Sequence, residues 1–263
     1  MSGRSATAGP RGLTLDLWHT LVYLEPDAEE EYMQAQLDLG ASVLAEAPPR
    51  GPGAVEDIAE LRAAFAEAYA SAVSRSQRGV SGTPAQQLAE AGARVLRDAD
   101  PDEYLRRLDR LVSRTRFLRA PGVLEELDRL RADGWRTAVI SNTVGEPGRT
   151  LRPQLTALGF DPRLDAFVFS DEQPWTKLAP EIFRYAVDRL GVLAERTVHV
   201  GDGWSDVEGA RRAGFRAAVL YTGLQRYGPR YHRLFLPPGA AEPATPYRMR
   251  AWEELSGLLQ RID

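Results

Sequence analysis

The side chains of this chain best suited to chemistry are few and unevenly typed. Lys177 is the only lysine among 33 basic residues, and it sits in the run Pro174-Trp175-Thr176-Lys177-Leu178-Ala179-Pro180. Every other basic residue is an arginine, so this position calls for a compact ammonium rather than a planar guanidinium fork. Asn142 is the only asparagine and follows Ser141 at the end of the apolar run Ala138-Val139-Ile140. Asp16 breaks a second apolar run, Gly12-Leu13-Thr14-Leu15-Asp16-Leu17, with Thr20 shortly after it. Gly201-Asp202-Gly203-Trp204-Ser205-Asp206 places two more carboxylates just past Thr197–Val200. If these groups meet, Asp16, Asp202 and Asp206 bring three negative charges against one positive on Lys177, a balance of −2. An anionic substrate would meet repulsion of about 4 kcal/mol per unit pair at roughly 4 Å and an effective dielectric of about 20. A divalent cation held by hard oxygen ligands cancels that surplus. Taken singly, Asp202 also reads as an ordinary helix cap.

Such a meeting needs a scaffold that gathers strand ends. Gly12–Leu17, Arg136–Ile140, Ala166–Phe169, Thr197–Val200 and Ala217–Tyr221 read as short buried strands. Helices are expected over Gly122–Asp133, Leu151–Leu158, Pro180–Leu190, Val207–Ala213 and Arg248–Arg261. A helix between successive strands makes them parallel, and open parallel sheets bind ligands beyond their carboxyl ends. After the first strand the texture changes. Glu29–Ala47, Val55–Arg78, Pro84–Asp98 and Pro101–Thr115 show helical periodicity, separated by Pro- and Gly-rich breaks and uninterrupted by any strand pattern. The reading is an α/β fold: a discontinuous core over 12–24 and 115–263 with a parallel sheet and helices on both faces, an all-helical insertion over 25–114, and a flexible N-terminal tail over 1–11.

Composition narrows the function. With 43% hydrophobic residues the chain can bury a full core, and the absence of cysteine excludes disulfides and thiolate metal sites. A net charge of −4 leaves no basic surplus for nucleic acid. No apolar run approaches the roughly 18–20 residues of a membrane span, and Met1–Arg11 lacks the apolar stretch of a signal peptide. The expectation is a cytoplasmic protein that binds a small anionic molecule, with neither nucleic acid nor membrane as partner. Oligomeric state is not indicated. Leu236–Pro246, rich in Pro and Ala, reads as a surface loop.

Asp16-Leu17-Trp18-His19-Thr20-Leu21, Ser141-Asn142, Lys177, and Gly201-Asp202 with Asp206 stand in a particular order, with a helical insertion after the first. In that order, over nearly the whole chain from about Gly12 to Ile262, the sequence resembles the haloacid dehalogenase-like (HAD) hydrolase superfamily, in its subclass with a helical cap after motif one. The resemblance implies a Rossmann-like core and a cap that closes over the substrate and chooses it. It implies that Asp16 is a nucleophile forming an aspartyl-phosphate, which water then hydrolyses. Thr20, Ser141 and Asn142, with neighbouring backbone N–H groups, would bind the transferring phosphate. Lys177 would neutralise nucleophile and phosphate. Mg²⁺ would be held by Asp16, the Trp18 backbone carbonyl, Asp202 and Asp206, the last directly or through water. The implied activity is that of a Mg²⁺-dependent phosphatase of a small phosphorylated metabolite.

The chain departs from the family pattern at Trp18, where phosphatases usually carry a second aspartate that protonates the leaving oxygen. General acid help is typically worth about 10²–10⁴ in rate. Two alternatives therefore stay open. One is a 2-haloacid dehalogenase-like hydrolase, whose halide leaves without a proton, although small polar residues usually replace the Asp202 carboxylate there. The other is a non-hydrolytic or regulatory protein of the same fold. His19 stands where glycine is usual; it is a candidate replacement acid, since His donates near neutral pH, or it packs against the cap. Leu178 stands where proline is common. His199, inside a strand, reads as a satisfied core residue. Trp18, Trp175 and Trp204 read equally as pocket walls or packing. His232, with Tyr227, Tyr231 and several arginines in Gln225–Arg233, reads as a solvated loop or as part of the active edge.

Overall fold

The computed structural model describes residues 9–224 and 245–262. Five strands of the core are β1 (Arg11–Leu15), β4 (Trp135–Ser141), β5 (Ala166–Phe169), β6 (Thr197–Gly201) and β7 (Ala217–Tyr221). With β8 (Tyr247–Met249) they form a parallel sheet in the order β5-β4-β1-β6-β7-β8. Both strand faces are buried, so the strands read as near-continuous apolar runs rather than alternating ones. Leu13 and Leu15 point into the larger core, which α5 (Val123–Ala132) and α9 (Leu255–Ile262) close through Leu127, Leu130, Leu255 and Leu259. Ala138, Ile140 and Val168 belong to the second core, under α7 (Pro180–Leu190) and α8 (Trp204–Arg212). Helices thus cover both faces.

β1 lies between β4 and β6. The chain moves outward from β1 to β4 and β5, then returns to the far side of β1 with β6. That reversal is a topological switch point, where a crevice opens beyond the carboxyl ends of the strands. Leu15 is level with Val139 of β4 and Val200 of β6, so Asp16, Ser141 and Asp202 all leave the sheet at this crevice.

Four helices form the insertion after β1: α1 (Pro26–Glu46), α2 (Ile58–Ser76), α3 (Pro84–Val95) and α4 (Pro101–Arg114). A short antiparallel pair, β2 (Val22–Tyr23) with β3 (Leu118–Arg119), joins their two ends. Local chemistry sets their starts. Proline opens α1, α3 and α4, and Asp57, Thr83 and Asp100 accept hydrogen bonds from the first-turn N–H groups of α2, α3 and α4. Leu44, Leu61, Phe65, Tyr104 and Leu108 fill the space between them.

The sequence expectation fails at the C-terminus. Arg248 does not begin a helix: Tyr247–Met249 pairs with β7 as β8, and α9 starts only at Leu255. Without β8 the ladder edge of β7 would be left open. The Glu254 carboxylate then accepts the N–H groups of Arg250 and Ala251, which starts the helical turns one step later. Three other helices begin earlier than periodicity suggests: α1 spans Pro26–Glu46, α6 spans Gly148–Ala157 and α8 begins at Trp204. Residues 227, 231 and 232 and most of Leu236–Pro246 lie outside the described residues.

Candidate active site

Asp16 follows β1 directly, and its N–H still donates to the Val200 carbonyl at 2.8 Å, as if the ladder ran one residue further. The carboxylate is therefore fixed at the mouth of the sheet, 3% exposed. Its Oδ2 accepts the Thr20 hydroxyl at 3.0 Å, and its Oδ1 accepts the Lys177 ammonium. Lys177 also reaches Asp206 Oδ1 at 2.7 Å. It arrives from beyond the β5 strand end, on the 173–179 segment that leads into α7. Asn142 holds that segment: its Oδ1 accepts the Lys177 backbone N–H at 2.8 Å. Its Nδ2 donates to Ser76 Oγ of α2 at 3.3 Å, so Asn142 joins three elements rather than opening toward solvent. Gly209 of α8 makes the approach possible, because a Cβ there would lie 1.9 Å from the Lys177 carbonyl oxygen.

Asp206 is the third residue of α8. Its Oδ2 accepts the Gly203 N–H at 3.0 Å, and its Oδ1 accepts from His199 Nε2 at 3.0 Å. The other ring nitrogen of His199 meets the Thr14 hydroxyl at 2.8 Å. His199 is a satisfied buried residue, yet it also steadies a carboxylate of the cluster. The inward spacing of Thr14 and His199 on adjacent strands was the available sequence signal.

Asp16, Asp202 and Asp206 each offer an oxygen such that all three lie within 4.8 Å of one another. Burial and the neighbouring Asp16 and Asp206 push the Asp202 carboxyl well above the usual carboxylate range. Asp16 is also raised, by burial above all and by Asp206, against the pull of Lys177. Burial opposes ionisation of Asp206, but Lys177 and His199 outweigh it and hold this carboxyl below its ordinary value. Burial works against the charge on Lys177 too, and Asp16 and Asp206 override it, keeping the ammonium protonated. The cluster thus carries more carboxylate than its one ammonium satisfies, and its hard oxygen donors fit a divalent metal ion.

Ser141 Oγ, at the end of β4, is fully buried and has no hydrogen-bond partner among the described residues. A buried hydroxyl left unsatisfied is costly and marks a place where a ligand atom belongs. His19 has a positive φ of 56° and is 1% exposed. A left-handed backbone explains why glycine suits this position. The His19 Nε2 meets Glu29 Oε1 of α1 at 2.9 Å, so the ring ties the motif-one loop to the helical segment. Trp18 packs edge-on against Phe117 with ring centroids 5.3 Å apart and lines a small cavity toward α1. Trp175 pairs with Val80 of the α2–α3 loop, and Trp204 lies beneath Arg212, so both serve packing.

The α2–α3 loop presses on the lysine segment. Ser81 N–H donates to the Pro174 carbonyl, Thr176 N–H to the Gly79 carbonyl, and the Thr176 hydroxyl to the Ser76 carbonyl at 2.8 Å. Sequence inspection missed these residues, because serine and glycine in a helix–helix loop carry no mark of what they touch.

Comparison with known proteins places this geometry. Residues 10–214 match the family model of the haloacid dehalogenase-like hydrolases. A phosphoglycolate phosphatase of Colwellia psychrerythraea is 32% identical over 115 residues, covering 41% of this chain and 50% of that protein. An (S)-2-haloacid dehalogenase of Burkholderia cepacia is 34% identical over 113 residues, covering 43% and 48%. The chain spans about half the length of these curated relatives. The crystal structure of a HAD phosphatase from Thermococcus onnurineus superposes with a TM-score of 0.60 at 21% identity, over 95% of this chain and 97% of that one, a likeness of fold. With the family model spanning β1 to β6, the four helices of the insertion and the strand ends that carry Asp16, Ser141, Lys177 and Asp202, this chain belongs to the haloacid dehalogenase-like hydrolase family.

Proposed function

We propose that the protein is a Mg²⁺-dependent phosphohydrolase of small phosphorylated molecules, with Asp16 as nucleophile. The observation that carries this reading is the cluster of Asp16, Asp202 and Asp206, with one ammonium between Asp16 and Asp206, beside a Ser141 hydroxyl that has no partner among the described residues. An anion with oxygen acceptors, accompanied by a divalent cation, satisfies all of it at once. Phosphatases among the relatives point the same way.

Asp16, Asp202, Asp206 and the Trp18 backbone carbonyl would hold the metal, which when bound neutralises the phosphate oxygens. Thr20 and Lys177 orient the Asp16 carboxylate, and Ser141 donates to a phosphate oxygen. An oxygen of Asp16 attacks phosphorus, the bond to the leaving oxygen breaks, and that oxygen takes a proton from water. Water then attacks the aspartyl-phosphate, releasing phosphate and regenerating the Asp16 carboxylate. His199 keeps Asp206 facing Lys177 throughout. Asn142 positions Lys177 rather than binding phosphate itself. Helices α1–α4 act as the cap, since Ser76, Gly79 and Ser81 already reach the lysine segment.

A second reading rests on Trp18 and the dehalogenase relative. The carboxylate of Asp202 in the cluster tells against it, because a halide needs no cation beside the nucleophile. Phosphate release from p-nitrophenyl phosphate, acetyl phosphate and a panel of small phosphate esters, with and without Mg²⁺, decides between them. Metal-dependent release is the expected result. Metal-independent chloride release from a 2-chloroacid, with no phosphate release from any ester, overturns the proposal.

A further inference from the structure

Between α1, α2 and the loop after β4 lies a cavity of about 30 Å³, lined by Trp18, Glu29, Tyr32, Gln36, Tyr69 and Glu146 among others. It borders both motif loops of the active site: Trp18 is two residues past Asp16, and Val144 three past Ser141. Its wall holds a carboxyl that the phosphate chemistry does not use. Glu146 is 9% exposed and accepts Gln36 Nε2 at 2.6 Å. Glu29, the other acid of the wall, is engaged by His19. Among the described residues no lysine or arginine lines it. The Tyr32 hydroxyl is near enough to Glu146 for each to perturb the other, yet it is buried and makes no hydrogen bond of ordinary geometry among the described residues. Gly145 lets α1 close on this loop, because a Cβ there would lie 2.8 Å from Gln36 Oε1.

Volume, charge and aromatic lining select a ligand class. About 30 Å³ holds one or two water-sized groups. A buried carboxyl with no cation beside it among the described residues, next to an amide and a phenol and walled by Trp18, Tyr32 and Tyr69, suits an ammonium. It can donate to the acid and the hydroxyl while facing aromatic rings. Burial, opposed by the Gln36 amide and the nearby Tyr32 hydroxyl, raises the Glu146 carboxyl above its usual range, a penalty that an arriving cation relieves. We propose that this cavity receives the leaving-group end of the substrate and that Glu146, Gln36 and Tyr32 select a short phosphorylated amino alcohol by its primary ammonium. The proposal rests on the phosphohydrolase reading above and names the substrate class of the same site.

Binding separates the two ideas. The Asp16→Asn variant is titrated calorimetrically, in the presence of Mg²⁺, with 2-aminoethyl phosphate, its uncharged isostere propyl phosphate, and 2-hydroxyethyl phosphate. The ammonium ligand is expected to bind tighter than propyl phosphate by about tenfold to a hundredfold, the worth of one hydrogen bond to a charged group. Adding Glu146→Gln should collapse that gap. Tyr32→Phe, a milder change that keeps the ring, should narrow it. Equal affinity for the ammonium and propyl ligands overturns the proposal, as does equal affinity for the ammonium and hydroxyethyl ligands. If the unmodified protein hydrolyses aryl phosphate while the variant binds all three ligands alike, the cavity assignment falls and the hydrolase stands. If the variant discriminates as expected and the unmodified protein releases phosphate from no ester, the hydrolase reading falls and the cavity stands. If no ligand binds, both fall.

Discussion

Replacing Lys177 with methionine tests the electrostatic design of the site, because it keeps most of the side-chain volume and removes only the charge. In the folded protein the ammonium lies 2.7 Å from Asp206 Oδ1 and also contacts Asp16. At an effective dielectric of about 20, the 2.7 Å pair alone is worth about 6 kcal/mol before the cost of burying both ions. Deleting one partner of a buried pair typically costs about 3–5 kcal/mol, because the carboxylates left behind are uncompensated. Part of that cost is escaped when they take up protons. In a chain of this size the loss lowers Tm by roughly 5–10 °C. Mg²⁺ should restore part of it, since a divalent cation at Asp16, Asp202 and Asp206 replaces the missing charge. Thermal unfolding of both proteins at neutral pH, with and without Mg²⁺, reads the effect. A Lys177→Met protein that unfolds within about 0.5 kcal/mol of the unmodified one, the range of an ordinary surface change, would refute the argument.

Asp16→Asn should abolish phosphate release while keeping the fold, because the amide preserves shape and removes the nucleophile; substantial release by that variant would sink the aspartyl-phosphate mechanism. Lys177→Arg should also be inactive, since the planar fork is bulkier than an ammonium between Asp16 and Asp206, and near-normal turnover would show that the position tolerates any cation. The unmodified protein should favour aryl or acyl phosphates over alkyl phosphates by about 10² or more, as Trp18 offers no proton, and Trp18→Asp should narrow the gap in a paired kcat/KM comparison. Equal rates on both ester classes would mean that another acid is present, and loss of the alkyl activity on His19→Ala would then identify His19. Gly209→Ala should destabilise the protein by about 1–3 kcal/mol and displace Lys177, since its Cβ meets the Lys177 carbonyl at 1.9 Å; an unchanged Tm in thermal unfolding would contradict that packing.

Much of this protein is legible in residue order. Buried strands announce themselves as apolar runs, Asp16, Ser141 and Asp202 stand at or just past their ends, and alternation with helices makes the sheet parallel. Singletons such as Lys177 and Asn142 stand out because the rest of the chain avoids their types. β8 was not legible: Tyr247–Met249 is too short to show a period, and only the open edge of β7 makes it a strand. The helical reading of Arg248 failed for that reason.

The contacts that make a site were decided by tertiary structure. Lys177 and Asp16 are 161 residues apart, and Gln36 and Glu146 are 110 apart, so no local pattern records either pair. His199 looked like core because it is core; that its second nitrogen holds Asp206 depends on how α8 starts against β6. His19 carries a chemical type that suits an acid; that its ring meets Glu29 of α1 is a contact no local pattern records. A sequence displays which side chains are available and, through periodicity, which element carries each one. Which of them meet depends on how elements pack across the sheet, and that is set by long-range burial and close approach, such as the bare Gly209 under Lys177.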